Sequence, residues 1–396
     1  VNEFDRELSQ RLDALREQGL HRELRHVESP QSPRIRIAGR TLLNFSSNDY
    51  LGLANDPVLK EAAIRTIERF GAGAGASRLI CGSLGPHREL DETLAAFKGT
   101  EAALSFSTGY ATALGTLCAL MGKDDVVVLD RLVHASIVDA ARLSGARLRV
   151  FAHNDLEDLE EILKWTLSPS RFTPHASRVL IVTESVFSMD GDHAPLREIV
   201  GLKHQYGAWL MVDEAHATGL YGKHRRGLAE HLGVSERIEV QMGTLGKAVG
   251  AAGGYVCGSR VLIDWLVNRA RSFIFSTAPV PAAAAAATAG IRFIQSQAGS
   301  KRCESLWRRV GQFVTHHASR IADTPRAIHP VLIGNETKAV EVSGQLRAQG
   351  IFVPAIRYPT VARGKARLRV TITAAHTPDD ISVLVRALEP LVNRQS

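Results

Sequence analysis

Lys247 stands in Thr244-Leu245-Gly246-Lys247-Ala248-Val249-Gly250, between glycines and just past an apolar run. A threonine hydroxyl lies three residues before it. A lysine withdrawn from water at such a strand end loses its charge readily, and the neutral amine attacks carbonyls. A surface lysine in a flexible glycine loop would be spelled the same way. A second segment, Trp209-Leu210-Met211-Val212-Asp213-Glu214-Ala215-His216, runs an apolar strand into Asp213, with His216 three residues on. Amine, carboxylate and imidazole are the groups that hold pyridoxal phosphate (PLP). The lysine binds its aldehyde, and a carboxylate keeps its pyridine nitrogen protonated so that the ring accepts electrons. A histidine is placed to hydrogen-bond its phenolic oxygen. The plain alternatives are an aspartate capping a turn and a histidine satisfied in the core.

Further polar clusters follow apolar runs. Ser107-Thr108-Gly109-Tyr110 opens a helical run, where backbone N–H groups bind phosphate; an ordinary strand-to-helix turn is the other reading. In Asp130-Arg131-Leu132-Val133-His134-Ala135-Ser136, His134 either lies flat over an aromatic ring or caps a helix. In Thr183-Glu184-Ser185-Val186-Phe187-Ser188-Met189-Asp190-Gly191, Glu184 and Ser188 are candidates to meet cofactor or substrate, or turn residues. A series of such clusters ending in a Gly-flanked lysine fits one cofactor better than unrelated turns. Asp213 to His216 also spells D-E-A-H, as in helicase-type ATPases. That reading needs G-x-x-x-x-G-K-[ST], and here Ala248 follows Lys247 and Gln241 holds the first position.

These residues need a scaffold. Apolar strand candidates are Ala102 to Phe106, Val126 to Leu129, Leu148 to Phe151, Val179 to Val182, Trp209 to Val212, Val240 to Met242 and Gly254 to Cys257. Helical segments separate most of them, so the sheet is expected to be mostly parallel and covered on both faces, with ligands bound past the strand ends. Upstream, residues 3 to 25 carry Phe4, Leu8, Leu12, Leu15 and Leu20 at helical spacing. Two short strands flank Gly39, and Asn44 to Leu53 reads as a loop. Pro57 starts a helix expected to bury Leu59, Ala63, Ile64, Ile67 and Phe70. Gly71 to Arg78 reads as a loop packed close to a ligand or another backbone, and Leu90 to Phe97 as helix. After Ala289 come a helix with a break between Ala298 and Leu306, strands at Val331 to Ile333, Ile351 to Pro354 and Arg367 to Ile372, and helices at Lys338 to Gln349 and Pro378 to Val392. The expected division is 1–45, an N-terminal helix and short strands; 46–285, a large domain; and 286–396, a smaller α/β domain.

The chain's 396 residues suffice for two domains, and 45% hydrophobic with 22% charged residues is an ordinary globular balance. No apolar run has the length of a membrane span, and residues 1–25 lack a signal-peptide apolar region. Cys81, Cys118, Cys257 and Cys303 are scattered, with no CxxC pair and no zinc spacing, so no metal is expected and a reducing, cytoplasmic setting is. The net charge of +7 is dispersed, which favours anionic ligands over nucleic acid.

Taken together, Asn44 to Leu53, Glu184 to Gly191, Val212 to Gly219, Thr244 to Lys247 and Arg357-Tyr358-Pro359-Thr360 resemble the α-oxoamine synthases, PLP enzymes of fold type I. The resemblance implies a large domain with a mostly parallel seven-stranded sheet and a smaller C-terminal α/β domain. It implies that Lys247 binds PLP and moves protons, Asp213 pairs with the pyridinium, His134 stacks on the ring and also faces substrate, and His216 contacts the phenolic oxygen. Gly109, Tyr110, Glu184, Ser188 and Thr244 bind or orient the cofactor. Arg22, Asn48, Thr360 and Arg369 meet substrates, Arg369 through an amino-acid carboxylate. It further implies a homodimer in which Ser276 and Thr277 reach the partner's phosphate. Phe151-Ala152-His153-Asn154-Asp155 and Ala355 to Thr371 point, within the family, to decarboxylative condensation of L-alanine with a pimeloyl thioester of coenzyme A or an acyl carrier protein. Tyr358, Gly75-Ala76-Ser77 and Ser185 depart from that pattern. A sister synthase using glycine or serine with another acyl thioester is the alternative.

Overall fold

The computed structural model describes residues 2–167, 177–316 and 325–392. They form two compact units, a larger one of Leu51–Ser188 and Asp192–Cys303 and a smaller one of Val1–Tyr50, Met189–Gly191 and Glu304–Ser396. The boundary expected near residue 285 falls inside helix Pro281–Gln295, which belongs to the larger unit.

The smaller unit opens with helix α1 (Glu3–Glu17), whose N-cap Asn2 accepts a 2.8 Å bond from the Asp5 amide. It stops well before residue 25. Gly19 takes φ 65°, a left-handed turn that ends the helix. Phe4, Leu8, Leu12 and Leu15 stay 67%, 40%, 42% and 40% exposed, so the stripe read from sequence is real but uncovered in the single chain. Strands β1 (Arg34–Ile37) and β2 (Arg40–Asn44) pair antiparallel. Their two-residue turn has positive φ at Ala38 (48°) and Gly39 (71°), the mirror-image turn whose twist suits a hairpin.

In the larger unit, α2 (Pro57–Phe70) is capped by Asp56 and starts on proline as expected. Its buried face differs from the expectation. Leu59 and Thr66 are buried with Ala62, Ala63 and Phe70 beside them, while Ile64 and Ile67 are 55% and 47% exposed. The neighbour that decides this is the alanine-rich helix Pro281–Gln295, which takes the small-residue face. The glycine-rich loop packs on backbone at Ala76 and Ser77, through a bridge to Thr277 and an amide bond from Ala278, not at its glycines. Helix α3 (Gly85–Lys98) leads into the sheet.

The sheet comprises β3 (Ala102–Phe106), β4 (Val126–Asp130), β5 (Arg147–Phe151), β6 (Val179–Glu184), β7 (Trp209–Asp213), β8 (Val240–Thr244) and β9 (Gly254–Gly258), in the order β3-β9-β8-β7-β6-β4-β5. Only β9 runs against its neighbours. Val126 to Leu129 and Val179 to Val182 are all 4% exposed or less, as strands covered on both faces must be. Helices α4 (Gly109–Leu120) and α5 (Ala135–Ser144) supply Ala113, Leu117, Ile137 and Ala140 to one core. Because the strands run in parallel, β4, β6, β7 and β8 end together, on Asp130, Glu184, Asp213 and Thr244. Two close fits hold that edge. A Cβ on Gly254 would lie 2.7 Å from the N and Cα of Gly109. Behind Asp213, the Lys98 ammonium meets the Glu214 carboxylate at 2.6 Å with side chains 1% and 0% exposed, and a Cβ on Gly227 would strike that carboxylate.

The smaller unit closes with β10 (Ile328–Gly334), β11 (Ile351–Phe352), β12 (Ala355–Ile356) and β13 (Ala366–Thr371). The strand expected at 351–354 is shortened to β11, and β12 begins just past the expected span. β11 joins β2 in parallel, and β12 joins an antiparallel β10-β13-β12 sheet. The break expected between Ala298 and Leu306 falls earlier, at Ser296, extended between Pro281–Gln295 and Gln297–His316; the second helix runs unbroken through the expected position.

Two substitutions test these fits. Lys98→Met strands a buried carboxylate and should lower the unfolding free energy by about 3–5 kcal/mol, read from the urea midpoint of the cofactor-free protein. An unchanged midpoint would show that Glu214 needs no partner. Gly254→Ala should lower stability by about 1–3 kcal/mol through overpacking against α4, seen as a reduced melting temperature.

Candidate active site

Asp213 and Glu184 are register partners at the ends of adjacent parallel strands, 6% and 2% exposed. Burial raises the pKa of both. For Asp213 it is opposed first by the Lys247 charge, then by the Ala215 amide, which donates to Oδ1 at 2.8 Å. For Glu184 burial is reinforced by the charge of Asp213, and the two push its carboxyl well above the usual carboxylate range. Its Oε1 is buried without a hydrogen-bond partner. Of this pair, Asp213 is the one arranged to carry charge against a cation.

Lys247 is not in a loose glycine loop. Leu245, Ala248 and Val249 around it are 1–2% exposed, the Leu245 amide donates to Gly253 O at 2.9 Å, and Gly250 (φ 75°) abuts Leu53 where a Cβ would clash. Its Nζ lies 2.7 Å from Nε2 of buried His216. Thr244 Oγ1 donates to Gly253 O at 3.0 Å and accepts from the Gly246 amide at 3.2 Å, which sets the turn into the lysine. A Cβ on Gly109 would be 3.7 Å from Thr244, so the start of α4 reaches the same corner. Thr108 caps that helix through the Ala111 amide at 3.0 Å, leaving the first-turn N–H groups of Gly109 and Tyr110 outside the helical ladder. The Tyr110 hydroxyl donates to Asp139 at 2.7 Å.

His134 caps α5. Its Nδ1 accepts from the Ser136 amide at 3.2 Å, which places the proton of the neutral ring on Nε2. Desolvation lowers its pKa against the pull of Asp213, so the imidazole is neutral near pH 7 while its ring stays exposed. Ser188 is buried, and its amide bonds the Glu184 carboxyl. Of Ser276 and Thr277, Thr277 bridges to Ser77 of the glycine-rich loop.

The smaller unit holds the remaining candidates as two pairs. Arg369, 4% exposed, donates to Asn48 Oδ1 at 3.1 Å and Thr371 Oγ1 at 2.9 Å. Arg22 reaches Thr360 Oγ1 at 3.4 Å. Sequence reading missed Arg357 as part of this group. It donates to His21 O at 2.7 Å, and desolvation followed by the charges of Arg22 and Arg25 lowers its pKa. Also missed were Ser136, which fixes the His134 tautomer, and the Lys98–Glu214 pair. A lysine ending a helix and a glutamate after a strand carry no local sign that they meet. A cavity of about 1030 Å³ lined by Lys98, Arg178, Trp209 and Trp265 includes none of the site residues proposed from sequence.

This set fits an aldehyde cofactor with a pyridine ring and a phosphate. A buried carboxylate faces a lysine, an orphaned acceptor stands beside it, and helix N–H groups and a hydroxyl converge where glycines leave no Cβ. Among the described residues no His, Cys, Asp or Glu cluster could hold a metal.

Comparison with known proteins agrees. The family "Aminotransferase class I and II" matches residues 40–388. The chain is 47% identical over 380 residues to the 8-amino-7-oxononanoate synthase of Geotalea daltonii, covering 95% of each. It is 46% identical over 386 residues to that of Geobacter sulfurreducens, covering 97% of each. Serine palmitoyltransferase from S. paucimobilis with a bound PLP–myriocin aldimine superposes with TM-score 0.90 at 30% identity, over 100% of this chain and 99% of that one. The 8-amino-7-oxononanoate synthase of Francisella tularensis superposes with TM-score 0.74 at 26% identity, over 89% and 97%. The chain thus belongs to the class I and II aminotransferase family, fold type I, in the 8-amino-7-oxononanoate synthase group of α-oxoamine synthases, and is a PLP-dependent acyltransferase.

Proposed function

We propose that this enzyme condenses L-alanine with a pimeloyl thioester, releasing carbon dioxide and the thiol, to form 8-amino-7-oxononanoate for biotin synthesis. The observation that carries the substrate assignment is the arginine group of the smaller unit. Arg357 is lowered in pKa first by desolvation and then by the charges of Arg22 and Arg25, and none of the three forms an ion pair with a carboxylate among the described residues. Like charges gathered in this way suit an anion. A pimeloyl chain ends in a carboxylate, whereas a palmitoyl chain ends in a methyl group. Coenzyme A and an acyl carrier protein are both compatible carriers.

PLP bound at Lys247 supplies an electron sink for the α-carbon of the amino acid. The chain's own residues do the rest. Asp213 holds a proton on the pyridine nitrogen. His134 offers a neutral ring face, and the first-turn amides of α4 with Thr244 receive the phosphate. Glu184 and His216 meet the phenolic oxygen, and Ser188 orients the cofactor beside them. Lys247 Nζ, 2.7 Å from His216 Nε2, is placed to take and return the α-proton. Arg369 receives the alanine carboxylate beside Asn48, and Thr360 with Arg22 receives the acyl chain. We further propose a cytoplasmic homodimer, with Ser276 and Thr277 meeting the partner's phosphate and the bare stripe of α1 covered by a second copy. No helix among the described residues is long and apolar enough to cross a membrane.

Lys247→Ala should abolish turnover and the visible cofactor band while the far-ultraviolet circular dichroism of the protein is unchanged; full turnover would remove the lysine from the chemistry. With alanine, glycine and serine tested against pimeloyl, acetyl and palmitoyl thioesters, alanine with pimeloyl should give the highest kcat/KM. Arg22→Ala should lower it by about 10–100-fold, the weight of one or two hydrogen bonds to a charged group, and leave any palmitoyl rate alone. Preference for serine and palmitoyl thioester would make this a sister synthase of the kind that the 0.90 superposition also allows.

A further inference from the structure

His153 lies two residues past the end of β5, in the Phe151 to Asp155 segment, and touches none of the groups placed above in the reaction. Both its ring nitrogens are engaged by carboxylates. Nδ1 is 3.0 Å from Asp130 Oδ1, and Nε2 is 2.6 Å from Asp192 Oδ2. Its ring stands edge-on to Phe187, with centroids 4.4 Å apart. The next residue repeats the link. The Asn154 amide donates to Asp130 Oδ2 at 2.9 Å, and its side chain donates to Asp192 Oδ2 at 3.2 Å and His193 O at 3.1 Å, from a backbone held at φ 56°.

The two carboxylates belong to different site segments. Asp130 ends β4, and its Oδ1 accepts from the Leu132 amide at 2.8 Å, shaping the turn that delivers His134 to the start of α5. Asp192 O accepts from the Phe187 amide at 3.0 Å, and Val186 bridges His193, so Asp192 closes the segment that carries Ser188. We propose that His153 is a positioning residue for the cofactor: bonded to a carboxylate at each end, it ties the His134 turn to the Ser188 segment and sets the spacing of the groups that meet the PLP ring. Burial alone would lower its pKa, but the bonds and charges of Asp130 and Asp192 outweigh that and raise it to about 10. The imidazolium therefore donates from both nitrogens at neutral pH, which a neutral ring cannot do. A neutral amide at this position keeps at most one of the two bonds.

The test needs no acyl substrate, so its result is separate from that of the substrate assignment. PLP affinity of the apoprotein is measured by equilibrium dialysis, and the visible band of the loaded protein is titrated with pH, for wild type, His153→Gln, Asp192→Asn and the double variant. His153→Gln should weaken PLP by about tenfold, the lower end of what supporting-shell losses do at bound groups, and move the pH midpoint of the band. A general loss of stability would lower the melting temperature and leave that midpoint in place. Asp192→Asn should have a smaller effect, and in the double variant it should add less than twofold, because one tether is broken only once. PLP affinity within twofold of wild type with an unmoved midpoint overturns the proposal, as do losses that simply multiply. If His153→Gln does not fold, Asp192→Asn alone decides: a shifted midpoint supports the tether, an unshifted one removes it.

Discussion

The arrangement rests on a carboxylate kept almost dry at the end of a strand. Asp213 is 6% exposed beside a second carboxyl, Glu184, and burial works against ionising either. A charge there is tolerable only if a cation faces it, and the chain supplies one in Lys247 while a pyridinium supplies another. Much of the surrounding structure keeps Asp213 in that state. The Ala215 amide holds one oxygen, the Lys98–Glu214 pair anchors the following turn from behind, and of the two neighbouring carboxyls burial and the Asp213 charge push Glu184 well above the usual range.

The parallel sheet makes this possible. Strands that run the same way finish on the same edge, so residues far apart in sequence arrive together without long loops. Glu184 and Asp213 face each other because β6 and β7 are in parallel register, and Thr244 ends β8 beside them. Antiparallel β9 has a different task. Its Gly254 sits where any side chain would displace Gly109, so the start of α4 can lie close to Thr244. Rigidity near the lysine comes from apolar burial of Leu245, Ala248 and Val249, and a glycine beside Lys247 therefore signals close packing, not mobility.

Backbone similarity and sequence similarity weigh differently on the substrate. The fold superposes better on serine palmitoyltransferase, at TM-score 0.90, than on the Francisella tularensis synthase, at 0.74. Relatives named 8-amino-7-oxononanoate synthase share 43–48% of residues. A fold hosts many chemistries, so the backbone match alone does not choose between the two activities, and the side chains lining the site must.

By itself the sequence determined the strands, the order of polar clusters behind them, and hence the cofactor class, because a two-sided buried strand must be apolar throughout and PLP chemistry needs a lysine, a carboxylate and imidazoles in set places. Lys247, Asp213, His216 and His134 were singled out for that reason. Periodicity misplaced what depends on neighbours. It extended α1 past Gly19, and it turned α2 on Ile64 and Ile67 when an alanine-rich helix selects the face of Leu59 and Thr66. Only the tertiary structure decided that Glu184 lies buried beside Asp213, that Lys98 hides against Glu214, and that His153 spans two aspartates. Each is a meeting of residues distant in the chain, and the energy of a buried charge is set by what surrounds it in space.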